Sequence, residues 1–307
     1  MSSPPIQWYP GHIAKAEKAL QEQLKKVDVV LEVRDARIPL ATEHPQVKQW
    51  IGEKGRILVL NRMDMISDMA RQQWIEWFKA QGNEPPYFTD AQNGKGIDGV
   101  IKAAQAVGAK VNQRRRDRGM LPRPVRAVVV GFPNVGKSAL INRLLKRRVV
   151  DSARRPGVTR QLRWIRISDQ LELLDAPGVL PSKLTDQAAA LKLAICDDIG
   201  EAAYDNQRVA AALVELLKQL QVESALQSRY AWESTDLTGE SYLHDLAEHR
   251  YQGDTERTAR QLLNDFRVGQ LGAIALEYPP VLEYPPVMDK VETLPESEPP
   301  TQETQPD

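Results

Sequence analysis

A single cysteine in 307 residues, Cys196, excludes an intrachain disulfide and any cysteine-based zinc knuckle. It sits in the helical-looking run LKLAIC and reads as a buried, inert thiol. Net charge is also missing. The 41 Lys and Arg balance the 41 Asp and Glu, so overall charge names no partner and only local charge can inform. No apolar run approaches the length of a membrane span. The opening MSSPPIQWYPGH has neither a signal-peptide core nor an Arg-rich amphipathic leader. These absences lead to the expectation of a soluble cytoplasmic protein with no membrane partner. The length leaves room for more than one domain.

Between Val27 and about Ile195, short β-branched runs alternate with helical patterns. VDVVLEV (27–33), RILVLN (56–61), PYFT (86–89), VRAVVVG (125–131), LRWIRI (162–167) and LELLD (171–175) read as strands. Residues 68–80 read as a helix with Asp68 as N-cap, and 96–108 as a helix ending at Gly108. SALINRLLK, after the fourth run, reads as another. The alternation predicts an α/β fold with a mainly parallel sheet covered on both faces. From about residue 205 the pattern turns all-helical, with apolar positions spaced by three and four in 208–221 and 255–272. A tail follows from Glu277, with LEYPPV at 276–281 repeated at 282–287. Residues 277–307 hold eight acidic side chains, one basic (Lys290) and eight prolines, too little apolar surface to offset ordering entropy, so the tail is expected to be disordered. The expected division is 1–200, 201–276 and 277–307.

Gly131-Phe-Pro-Asn-Val-Gly136-Lys137-Ser138 matches G-x-x-x-x-G-K-[ST], with a strand before it and a helix after it. Glycines let backbone N–H groups curl round a phosphate, and the helix N-terminus adds partial positive charge. Lys137 is then expected to reach the β- and γ-phosphates and Ser138 to ligate Mg²⁺, with Asn134, Val135, Gly136 and Ala139 completing the cradle. Asp175-Ala176-Pro177-Gly178 ends the LELLD strand. Its carboxylate suits Mg²⁺, and the Gly178 N–H suits the γ-phosphate. Thr159, in Arg155-Pro-Gly-Val-Thr-Arg160 between the two, can coordinate Mg²⁺ only while the γ-phosphate is present, which is the physics of a switch. Without those neighbours, D-x-P-G and Thr159 would be ordinary turn sequence.

A phosphate cradle does not choose between ATP and GTP. Asn61-Arg62-Met63-Asp64 resembles the N-K-x-D element of GTPases. An Asp64 carboxylate accepts from guanine N1–H and its exocyclic amine, whereas adenine would leave it unpaired at considerable cost. Arg62 replaces the usual lysine, and its stem can pack beside the base. Thr89 to Gly96 resembles the loop that supports guanine through a backbone N–H near Ala91. In most GTPases these base loops follow the phosphate loop. Here they precede it, in the order 61–64, 89–96, 131–138, 157–159, 175–178. The contacts survive if the domain's ends are joined and reopened elsewhere. The segment after Asp175 then leads straight into the helical region, a short covalent route for nucleotide state.

With that order, the chain resembles the YlqF/RbgA family of circularly permuted GTPases over about residues 6–280. Trp8-Tyr-Pro-Gly-His12-Ile-Ala-Lys-Ala16 is similar to the family's W-F-P-G-H-M-x-K-A opening, Asp35-Ala-Arg37-Ile-Pro-Leu40 to its D-A-R-x-P segment, and Leu262-Leu-Asn-Asp-Phe-Arg267 with Gly269 and Leu276-Glu277 to its C-terminal stretch. The acidic tail is extra. Relatives with an OB-fold or zinc module fit less well. The resemblance implies a permuted P-loop GTPase domain in 1–200, an RNA-binding helical domain in 201–276, assembly of the large (50S) ribosomal subunit, and GTP hydrolysis that depends on the maturing particle. A water-orienting glutamine commonly follows the D-x-x-G glycine. Val179 stands there and cannot orient water, and the family suggests His12 instead, beside Lys137, Thr159 and Gly178. Asn134 matches an asparagine that in some relatives holds K⁺ against the phosphates.

Two basic clusters, one in 114–126 with six arginines and one in 146–166, suit bidentate phosphate contact and predict an rRNA-facing surface; no DNA partner is expected. A nucleotide-gated RNA- or ribosome-binding module with negligible turnover is the rival reading, supported by Val179. A P-loop ATPase is a third.

Overall fold

The computed structural model describes residue 6 and residues 13–145, 163–169, 171–175, 185–232 and 237–280. Its strands are β1 (Val29–Asp35), β2 (Gly55–Asn61), β3 (Tyr87–Thr89), β4 (Val125–Val130), β5 (Arg163–Ser168) and β6 (Leu171–Asp175). They form a six-stranded sheet in the order β3-β2-β1-β4-β6-β5, parallel except for β5, which pairs antiparallel with β6. Every residue of β1 is buried, as a central parallel strand requires. The sheet reads outward from β4 in two directions. The chain reaches β4 only after completing β1, β2 and β3, which is the permuted order expected from the motifs.

Register places the site. Asp35 lies opposite Asn61, and Asn61 opposite Thr89, in a row along the C-terminal strand ends. Asp175 lies opposite Val129 on the far side of β4. In an open parallel sheet this edge is where ligands bind.

Helices α1 (Ile13–Leu24) and α2 (Val47–Ile51) cover one part of the sheet through Leu20, Leu24, Val47 and Ile51 on Val30, Val128 and Leu174. Helix α3 (Asp68–Ala80) seals Leu58 and Leu60 with Ala70, Trp74 and Phe78. Its N-cap is Ser67, whose hydroxyl accepts from Ala70 N–H, one residue before the predicted cap. Helix α4 (Ile97–Asp117) runs well past Gly108, where the sequence predicted its end. Gly108 is buried inside the helix, and a Cβ there would collide with Val125 on β4. The glycine sets how closely helix and sheet approach rather than capping anything. Arg114, Arg115 and Arg116 therefore belong to the last turn of α4, not to a linker. Arg123 pairs with Asp28, and Arg126 lies over the Trp164 ring.

Beyond α5 (Lys137–Leu144) and α6 (Gln187–Ile195) come α7 (Asn206–Gln219), α8 (Ser224–Tyr230), α9 (Gly239–Tyr251) and α10 (Thr255–Arg267). The N-caps Asp186, Asp205, Thr238 and Asp254 each accept backbone N–H groups that would otherwise be orphaned. One hydrophobic cluster runs from Val29 and Val129 through Leu193 to Leu213, Leu262 and Phe266, so the helices share a core with the sheet. Arg267 clamps the seam by donating to the Ala194 and Ile195 carbonyls and the Tyr204 hydroxyl. The expected tail boundary shifts here. Glu277 is buried, and its carboxylate accepts from the Leu40 and Ala41 N–H groups and pairs with Lys192. Residues 281–307, the rest of the predicted tail, lie outside the described residues.

Gly108→Ala is expected to destabilise the protein by about 1–3 kcal/mol through overpacking. Thermal or urea unfolding reads this directly, and an unchanged midpoint would show that α4 can move off the sheet freely.

Candidate functional site

The loop from β4 into α5 carries the phosphate-loop sequence. Asn134 and Gly136 are both left-handed, at φ 57° and 96°. Gly136 has a second constraint: a Cβ there would run into the Asn61 side chain. Lys137 opens α5, is buried, and donates from Nζ to the Phe132 carbonyl at 2.7 Å, within its own loop. Ser138 and Ala139 follow in the first turn, where free N–H groups and the helix dipole favour an anion.

Asn61, at the end of β2, is 3% exposed and uses both ends of its amide on neighbours. Nδ2 donates to the Val135 carbonyl at 2.9 Å. Oδ1 accepts from the Thr89 hydroxyl and the Ala91 N–H, each at 3.0 Å. One side chain thus pins the phosphate loop, the 61–64 loop and the 89–96 loop together. The Ala91 N–H, expected to face a base, is used here by Asn61. The 89–96 loop is held from the other side by Arg143 of α5, which donates to the Ala91 and Gln92 carbonyls.

Arg62 is left-handed at φ 64°, and its guanidinium turns back toward the phosphate loop. Nη2 donates to the Asn134 carbonyl at 2.6 Å, and Nε lies 3.5 Å from Oδ2 of Asp35. The Asn134 amide nitrogen donates onward to the Asp197 carbonyl at 2.7 Å. Asp64 remains open to solvent. Partial desolvation and the neighbouring Asp90 raise its pKa.

Beneath these loops lies a charged group that sequence reasoning did not place in the site. Arg37 and Asp35 are fully buried. Oδ1 of Asp35 accepts from the Arg37 backbone N–H and Nε, and Oδ2 from Nη2 at 2.7 Å. Arg37 also donates to the Cys196 carbonyl and stacks over Phe266 of α10 at 5.4 Å, while its own carbonyl accepts from Leu276 and Glu277 N–H. Burial pushes the Asp35 carboxyl up, but Arg37 and Arg62 override it and hold it below the usual range. For Asp198 burial acts in the same direction and prevails, although Arg62 and Arg37 pull against it. Neither of its oxygens finds a donor among the described residues, and burial together with Asp35 raises its pKa far above the ordinary value. Burial also raises Cys196, consistent with an inert thiol. The signal available in the sequence was the D-A-R-x-P segment, an acid and a base two residues apart at a strand end.

Of the remaining predicted residues, Asp175 is placed through its backbone at the end of β6. His12, Thr159 and Gly178, Val179, and most of the basic cluster in 146–166 lie outside the described residues.

Residues 126–231 match the family described as "50S ribosome-binding GTPase". Together, the sheet order and the converging loops define a P-loop GTPase with circularly permuted segments, an enzyme that hydrolyses GTP. Ribosome biogenesis GTPase A of Bacillus cereus is 35% identical over 280 residues, covering 89% of this chain and 94% of the relative. The chain belongs to that family, YlqF/RbgA. Ribosome biogenesis GTPase A of Thermotoga maritima is 27% identical, with 89% and 95% covered, and mitochondrial ribosome-associated GTPase 1 of Bos taurus is 29% identical, with 88% of each chain covered. The fold is that of GDP-bound YlqF, with a TM-score of 0.61 at 24% identity over 85% of this chain and 99% of that one.

Asp198 yields a signed prediction. The unfolded chain loses this proton near the ordinary carboxylate pKa, while the native state retains it to higher pH. Stability therefore falls as pH rises above about 4. Asp198→Asn, which cannot ionise, is expected to raise the thermal midpoint by roughly 2–4 °C at pH 8 and by less at pH 5. Equal shifts at both pH values would contradict a protonated native Asp198.

Proposed function

We propose that this protein is a GTP-hydrolysing assembly factor for the large ribosomal subunit, binding precursor particles and rRNA in a nucleotide-dependent way in the cytoplasm. The observation that carries the nucleotide chemistry is the Asn61 clamp, which brings base and phosphate loops from distant parts of the chain onto one edge. The names of its relatives support the ribosomal partner. No helix among the described residues is long and apolar enough to cross a membrane.

Asp64 reads the guanine edge, with Asn61, Thr89 and Ala91 shaping the base pocket and Arg62 bracing it. Asn134, Val135, Gly136, Lys137, Ser138 and Ala139 surround the phosphates. The oxygen donors fit Mg²⁺, a hard cation that keeps phosphate and water ligands: the Ser138 hydroxyl on the first turn of α5, the Asp175 carboxylate at the end of β6, and Thr159 from the first switch. Bound there, Mg²⁺ would neutralise charge on the transferring phosphoryl group. The bond from Asn134 to Asp197 fixes that amide's orientation and leaves its oxygen as the atom to meet K⁺. His12 supplies the water-positioning group and Gly178 the γ-phosphate N–H.

The rRNA reading gains support from the opposite edge of the sheet. A groove of about 570 Å³ lies there between the start of β1, residues 53–55 and the second half of α4. Lys110, Arg114 and Arg118 line it at i, i+4 and i+8, ~6 Å apart along the helix. All three are exposed, and none has an ion pair among the described residues. Their position near a helix C-terminus favours cations, but like charges at this spacing repel. An anionic backbone threading the groove would relieve that repulsion. The helices within 201–276 form a second RNA contact.

Four measurements test this function. Asp64→Asn is expected to shift preference from guanine toward xanthine nucleotides in competition binding; an unchanged preference removes Asp64 as the base reader and reopens an ATPase. The protein should cosediment with large-subunit precursors more strongly with a GTP analogue than with GDP. Those particles should also raise its hydrolysis rate, more in K⁺ than in Na⁺. Replacing Lys110, Arg114 and Arg118 by Gln should weaken rRNA binding and reduce its log–log salt slope by about 2. Cosedimentation indifferent to nucleotide would defeat the proposal, and a salt slope unchanged in the triple variant would remove the groove from it.

A further inference from the structure

We propose that Arg62 is a positioning residue that ties the phosphate loop to the seam with the C-terminal helices, so that occupancy of that loop is felt at residues 262–277 by a route separate from the chain that follows Asp175. The geometry forms a closed ring. The Asn134 carbonyl accepts from Nη2 of Arg62, and Nε of Arg62 faces Oδ2 of Asp35 at 3.5 Å. Asp35 grips Arg37 through both oxygens, Arg37 donates to the Cys196 carbonyl, and the next carbonyl, that of Asp197, accepts from the Asn134 side chain. Phosphate loop, base loop, the end of β1 and the end of α6 therefore cannot move independently.

Arg37 carries the ring outward. Its guanidinium lies over Phe266 of α10, and its carbonyl holds the backbone N–H groups of Leu276 and Glu277. Asn134 occupies a left-handed backbone conformation that a bound phosphate or cation would stabilise, and a rigid Asn134 carbonyl holds Arg62 in place. Arg62 can take part because it is an arginine. A guanidinium offers separate donors to two acceptors at a fixed spacing, whereas a lysine ammonium in the same place is a single point that would serve the carbonyl or the carboxylate. The replacement of the usual N-K-x-D lysine thus adds a connection. Because Arg62 lies at the rim and Asp35–Arg37 is bonded without it, the pair stays satisfied when Arg62 is changed.

The test compares the full chain with Arg62→Lys and Arg62→Gln by amide hydrogen exchange, with GDP and with a non-hydrolysable GTP analogue. In the wild type, nucleotide should slow exchange both in 131–139 and in 262–277. In both variants the slowing in 131–139 should persist while that in 262–277 weakens, since only the arm through Asp197 and Cys196 remains, with nucleotide affinity reduced roughly fivefold. A response in 262–277 that is equal in the variants, or missing in the wild type despite protection of 131–139, overturns the inference. The inference rests on the phosphate-loop assignment. A lack of protection in 131–139 would therefore fell that assignment first and the coupling with it.

Discussion

The site depends on one carboxamide. Asn61 stands at the end of β2, between Asp35 on β1 and Thr89 on β3, and its three hydrogen bonds join its own loop to two others, the phosphate loop and the 89–96 loop. A neutral amide can do this because it carries donors and acceptors on one short stem. Buried at this point, both its nitrogen and its oxygen must find partners, since an orphaned amide would cost more than each bond yields. Gly136 is the other half of the arrangement, a backbone position stripped of its side chain so that Asn61 can reach Val135.

Below that amide the protein buries charge. Ion pairs in such places recover little net energy, because desolvation offsets attraction, yet losing one partner strands the other. What Asp35 and Arg37 provide is definition. Two carboxylate oxygens meet a planar fork in a single orientation, which fixes where the end of β1 meets α6, Phe266 and the returning chain at 276–277. Asp198 stands beside this pair with neither oxygen hydrogen-bonded among the described residues, and burial raises its pKa well above the ordinary carboxylate value.

Most of the sheet was legible because its strands are β-branched runs and the phosphate loop is a contiguous pattern with a strand before it and a helix after it. The base loops were legible only once the phosphate loop had been found, since N-x-x-D alone is an ordinary turn. What escaped was set by partners far along the chain. Gly108 carries the same local signal whether it ends a helix or lets one lie close to Val125, and only the sheet decides. Arg62 was read as packing beside a base, but its direction is set by Asn134 and Asp35. Glu277 was assigned to an acidic tail by its neighbours in sequence, although its own partners are Leu40, Ala41 and Lys192. Helices α8 and α9 left too weak a periodic pattern to be separated from their surroundings.

The stitch made by Glu277 bears on how the polypeptide leaves its own ribosome. Strands β1 to β3 emerge first with their base loops, but β1 lacks its neighbour β4 until the middle of the chain has been made. The Arg37 carbonyl and the amides of residues 40 and 41 wait longer still, for residues 276 and 277. A nascent chain therefore holds half a pocket until β4 and α5 have been made, and gains this stitch later still. A segment made late thus closes onto one made early, which ties the chain after the first strand to the chain after the last described helix.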